Sequence, residues 1–165
     1  MSSVRELEER VAAQRAALGA EHPDTLSARG DLAEAKAHVG DFRGAITEFR
    51  ALVKDHTAAA GADDPRTLAV RLNLAKVLGT AKQFAKAVSV CEPLLHAQVS
   101  VLGPGHADTL ETRQLLANLR YATGDTEGAA GELELLLTAL SHVLMPTHQR
   151  ITQLKRDIAF LKRSA

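Results

Sequence analysis

The sequence predicts an all-α fold, a right-handed α-solenoid of antiparallel helix pairs with about eight helices. Three observations lead there. A nine-residue stretch returns every 42 residues. Apolar positions inside each copy fall at spacings of three and four, the signature of helix faces. Aromatics make up only 3% of the 165 residues and Trp is absent, so a core of Ala and Leu has to come from closely packed helices.

The recurrence is plain. Leu18-Gly19-Ala20-Glu21-His22-Pro23-Asp24-Thr25-Leu26 returns as Ala60-Gly61-Ala62-Asp63-Asp64-Pro65-Arg66-Thr67-Leu68 and as Leu102-Gly103-Pro104-Gly105-His106-Ala107-Asp108-Thr109-Leu110. A degraded fourth copy runs from Leu144 to Thr152 at the same spacing. Further columns agree: Arg29, Arg71 and Arg113; Leu32-Ala33, Leu74-Ala75 and Leu116-Ala117; Ala45, Ala87 and Ala129; Phe49, Cys91 and Leu133; Leu52, Leu94 and Leu136. Each unit therefore reads as two helices joined by a short turn. A register that holds over several units marks a repeat architecture.

Punctuation sets the boundaries. Pro23 and Pro65 suit a first helical turn, where a missing N–H costs nothing, with His22 or Asp64 as caps. Gly40 and Gly124 suit the left-handed residue that ends a helix. The expected helices are 4–17, 24–39, 42–58, 66–81, 84–101, 108–123, 126–143 and 148–163. They make one domain: a half unit 4–17, units 18–59, 60–101 and 102–143, and a capping segment 144–165. Pro93 falls inside helix 84–101 and should kink it. The two alanine columns permit close helix crossings.

Composition excludes several function classes. Twenty Lys and Arg balance twenty Asp and Glu, whereas a nucleic-acid binder needs a basic surplus to displace counterions. No apolar run reaches the roughly 18 residues of a membrane span. Met1-Ser2-Ser3-Val4-Arg5-Glu6 lacks the layout of a signal peptide, and the single cysteine, Cys91, fits a reducing compartment. The expectation is a cytoplasmic protein whose Met1-Ser2-Ser3 is a natural start.

No catalytic constellation stands out, and no cofactor or metal is expected. His22, His106 and His148 share one column, but equivalent residues of successive units lie a helix-packing distance of roughly 8–10 Å apart. That is too far to converge on one zinc ion, so these histidines read as loop structure. His38, His56, His96 and His142 have no paired-ligand spacing. Cys91 falls in a core column, where a thiol is inert. Phosphate-cradling glycine motifs and a GxSxG elbow are missing. The Arg29, Arg71 and Arg113 ladder reads as structural pairing with nearby acids, or alternatively as an anion-binding stripe.

These columns resemble the tetratricopeptide-repeat family, a helix–turn–helix with Leu-Gly in the first helix and Ala-x3-Phe in the second. Leu32-Ala33 with Ala45-x3-Phe49 stands in that register. The 42-residue unit with its Gly-x-x-His-Pro-x-Thr-Leu linker is similar to the kinesin-light-chain-like subclass, in versions found in actinobacteria. Lys36, Leu78 and Arg120 replace the late aromatic of the first helix. Only Asn73 matches the two-carboxylate clamp of chaperone-adaptor repeats, which speaks against chaperone-tail binding.

The resemblance implies a non-enzymatic scaffold that binds a peptide or helical segment of a partner protein on a concave face lined by first helices. The residues implied are Asp31, Glu34 and His38, then Asn73, Lys76 and Thr80, then Gln114, Asn118 and Tyr121. Tyr121 is the best single anchor, since aromatics dominate binding hot spots. Two alternatives are a self-associating module and a regulatory domain of a larger signalling protein. Helix 126–143 carries Leu133, Leu135, Leu136, Leu137, Leu140, Val143 and Leu144, more than one face holds. An exposed strip there would serve a homo-oligomer, unless the last helix covers it.

Overall fold

A computed structural model of the chain describes residues 3–164. Met1 and Ser2, on which the expectation of a natural start rests, lie outside the described residues, as does Ala165 at the end of the capping segment. Eight helices and no strand occur among the described residues. Contacts gather them into two compact units, Met1–Ala81 and Lys82–Ala165. The first holds α1 (Val4–Leu18), α2 (Pro23–His38), α3 (Phe42–Ala60) and α4 (Pro65–Thr80). The second holds α5 (Phe84–Val101), α6 (Ala107–Ala122), α7 (Thr126–Ser141) and α8 (Gln149–Ser164). Within each unit every helix packs on the one before it in the chain. This is an all-α repeat fold with boundaries close to those expected.

The recurring stretch is a helix-start device. His22 and His106 each accept the backbone N–H two residues on through Nδ1, at 3.2 Å, and Asp64 does the same through Oδ1 at 2.9 Å. His148 caps the last first-type helix, accepting from the Arg150 N–H at 3.1 Å. The shared histidine column is thus a capping column, satisfying donors that a helix start leaves open. The threonine that follows is fully buried in Thr25, Thr67 and Thr109. Thr67 Oγ1 donates to the Gly61 carbonyl at 2.8 Å, tying the linker to its helix.

The turn inside each hairpin is built twice one way and once another. Gly40 and Gly124 both take φ +88° after the helix end, and Asp41 and Asp125 then cap the next helix by accepting the Gly44 and Gly128 N–H at 2.9 Å. In the middle copy Lys82 occupies the glycine column at φ +58°, and Gln83 makes no side-chain cap. α5 then runs through Pro93 unbroken to Val101.

Both alanine columns are buried, as are Phe49, Cys91 and Leu133 in their shared column. α8 supplies Ile151, Leu154, Ile158 and Leu161 to cover Leu133, Leu136 and Leu140 of α7, with Leu137 and Leu144 packed alongside. α7 ends at Ser141, two residues earlier than expected. Leu135 on α7 is left exposed, with Val143 and Met145 exposed in the loop that follows.

Candidate functional site

In the first unit the 42-residue register sets Glu34 of α2 beside Asn73 of α4, and the Asn73 Nδ2 donates to Glu34 Oε1 at 3.1 Å. This bond bridges two successive first helices. On one side of it lies a cleft of about 320 Å³, rimmed by Glu34, His38, Asn73, Lys76 and Thr80, with Ala37, Phe42, Phe49 and Val77 as its apolar wall. Five of the nine expected residues therefore meet in one cleft. The Thr80 hydroxyl donates to the Lys76 carbonyl at 3.0 Å, which leaves its oxygen as an acceptor. Asp31 does not join them; it is ion-paired with Arg10 of α1.

Beyond the bridge a larger, more apolar cleft of about 440 Å³ shares Phe49 and Asn73 with the first. Gly30 opens it: a Cβ added there would meet nothing within 4 Å. His56 sits on its wall with Ala59, Ala60, Ala69 and Val70. Burial, then the charge of Arg66, pushes the His56 pKa below its ordinary value.

The second unit has its own cleft of about 200 Å³ at the equivalent place, between α6 and α8. Gln114, Asn118 and Tyr121 line it together with Ala117, Leu133, Asp157, Phe160 and Leu161. Gln114 Nε2 donates to Asn118 Oδ1 along α6 at 3.3 Å. Tyr121 and Phe160 are each 52% exposed, which is high for rings flanking an apolar floor. Asp157 and Phe160 were not among the expected residues. They occupy the Asn73 and Lys76 columns 84 residues on, so the register applied to the last helix names them.

The arginine ladder resolves into different states. Arg29 reaches Glu48 at 2.5 Å and Asp55 at 2.7 Å. Burial alone would lower its pKa, but hydrogen bonds to Asp55 and Glu48 outweigh that and hold it above the ordinary value. Arg113 pairs with Glu132 at 2.7 Å. Arg71 makes no ion pair among the described residues, and burial pulls its pKa down with only the charge of Asp63 opposing. Two departures from the family pattern also carry ion pairs: Lys36 with Glu8 at 3.3 Å, and Arg120 with Glu92 at 3.0 Å.

Cys91 is fully buried, and burial, with Glu92 adding, pushes its thiol up to about 12. A thiol so seldom ionised is a core side chain and no nucleophile. Among the described residues no group of three His, Cys, Asp or Glu is placed to hold a metal ion. No described helix is long and apolar enough to cross a membrane.

Known proteins agree with this architecture. Residues 67–108 match the family model described as Tetratricopeptide repeat. A Podosopora anserina protein described as a kinesin light chain, with nearly identical TPR-like repeats, is similar in fold at TM-score 0.85 and 25% identity. That likeness covers 98% of this chain and 76% of that one. BtubC (BKLC) from P. vanneervenii shares the fold at TM-score 0.75 and 16% identity, over 87% of this chain and 57% of that one. No curated protein matches the sequence. Residues 67–108 thus match a tetratricopeptide repeat, and the chain as a whole is similar in fold to proteins built of such repeats.

Proposed function

We propose that this protein is a non-enzymatic interaction scaffold that takes a peptide or helical segment of a partner protein on the face lined by its first-type helices. The observation that carries the reading is the paired clefts. Eight of the nine residues chosen by repeat column line two clefts at equivalent places, one per unit. Each cleft combines an apolar wall with a few polar groups at the rim, the usual make-up of a recognition site. The repeat fold itself is commonly put to holding protein partners. The one cysteine, reduced and buried, suits work in the cytoplasm.

Self-association through residues 126–143 has less surface to use, since α8 covers the α7 leucines and leaves Leu135 by itself on the helix. The test is affinity capture from the native cell with the full chain and with a Glu34→Ala/Lys76→Ala/Tyr121→Ala variant, followed by mass spectrometry. The expected result is a set of partners lost from the variant. Identical partner sets would sink the reading.

A further inference from the structure

The two clefts occupy the same place in the repeat but differ in chemistry. Where the first unit has the amide Asn73 and the cation Lys76, the second has the carboxylate Asp157 and the ring Phe160. Where the first has Ala37, the second has Tyr121. We infer that the second unit's cleft selects a basic side chain of the partner segment, arginine above all. This rests on the scaffold reading above and names the ligand chemistry of one of its sites.

Charge complementarity carries the argument. Asp157 is the one charged residue lining this cleft, and no cation lines it. Its Oδ1 accepts from Gln153 Nε2 at 2.8 Å, which steadies the carboxylate, while no described residue donates to Oδ2. Gln114 and Asn118 add amide oxygens that accept from a donor-rich ligand. The half-exposed ring of Tyr121 presents a negative π face, which attracts a cation. An acidic side chain would meet Asp157 with like charge. An aliphatic one would fill the floor and leave Asp157 Oδ2 without a donor. A guanidinium satisfies every element at once, because its plane stacks on a ring while its fork of donors meets a carboxylate. A lysine ammonium supplies the charge without the stacking plane.

The experiment is a titration of the full ¹⁵N-labelled chain, followed by NMR, with four capped Gly-Ser pentapeptides. Their central residue is Arg, citrulline (the uncharged isostere of Arg), Glu or Leu. The expected result is that the Arg peptide moves the amide signals of Asn118, Tyr121, Asp157 and Phe160. It should bind about fivefold tighter than the citrulline peptide, the ratio an exposed cation–π contact gives. Asp157→Asn, an isosteric change on a helix surface, should reduce that ratio. Tyr121→Leu/Phe160→Leu should reduce it as well. Citrulline or Leu peptides that bind this cleft as well as the Arg peptide would overturn the selection and leave the scaffold reading standing. So would a Glu peptide that binds it best. Silence from all four peptides at both clefts would overturn the selection and the scaffold reading together.

Discussion

Arg113 of α6 donates to Glu132 of α7 at 2.7 Å, with the two side chains 11% and 12% exposed. Removing one member of so dry a pair strands the other charge, which costs far more than the pair is worth over an apolar replacement. Glu132→Ala should therefore lower stability by about 3 kcal/mol in urea unfolding. Arg113→Met/Glu132→Leu should recover most of the loss. Arg29 has two acids, so Glu48→Ala leaves Asp55 in place and should cost clearly less. A Glu48→Ala variant that loses as much as Glu132→Ala would show that the second acid, Asp55, does not shelter Arg29.

Lys82 holds φ +58° in a column where Gly40 and Gly124 sit at +88°. Left-handed backbone presses Cβ toward the following carbonyl, a strain of roughly 1–2 kcal/mol that glycine escapes. Glycine loses part of that gain through its freer unfolded chain. Lys82→Gly should then stabilise the protein by about 1 kcal/mol, and Gly40→Lys should cost about as much. Guanidinium midpoints of the two variants measure this. A lower midpoint for Lys82→Gly would refute it.

The fold was legible because its information is local and repeated. A helix-start cap, the glycine column of Gly19, Gly61 and Gly103 and two alanine columns recur in each unit, so errors in one copy are corrected by the others. Helix ends fall within about two residues for that reason. The clefts were legible only in part, because what a side chain on a helix face meets depends on its neighbours in space. Asp31 sits in the expected column, but Arg10 of α1, 21 residues away, takes its carboxylate. Glu48 and Asp55 hold Arg29 from an adjacent helix whose rotation no spacing rule gives. Asp157 and Phe160 were missed because residues 144–165 were read as a cap, although α8 continues the same columns. The apolar excess of α7 was visible, yet only the facing residues of α8 decide how much of it is covered.

Ala33, Ala75 and Ala117 form one column, and Ala75 is fully buried. A leucine there adds three carbons to a packed crossing, and overpacking of this kind costs about 1–3 kcal/mol. Ala75→Leu should lower the thermal midpoint by several degrees, while Ala58→Leu, at an exposed position of α3, should leave it near the parent. A melt of Ala75→Leu that matched the parent would mean the alanine columns do not set the helix spacing.

His56 makes stability depend on pH with a definite sign. Asp64 and Arg66 from the start of α4, the neighbouring Asp55 of α3 and Arg29 from α2 act on it with their charges. Burial, followed by Arg66, favours the neutral ring in the folded chain, so its pKa lies below the ordinary 6.5. The unfolded chain therefore binds the proton first as the pH falls, and protons bound preferentially to the unfolded state reduce stability. The contribution is fully present above the ordinary value and is lost progressively as the pH falls below it toward the folded-state value. Urea midpoints at about pH 7.5 and 5.5 should drop more for the parent than for His56→Gln, whose amide cannot titrate in this range. Equal drops in the two proteins would place the pH sensitivity elsewhere, and a smaller drop in the parent would reverse the sign argued from burial.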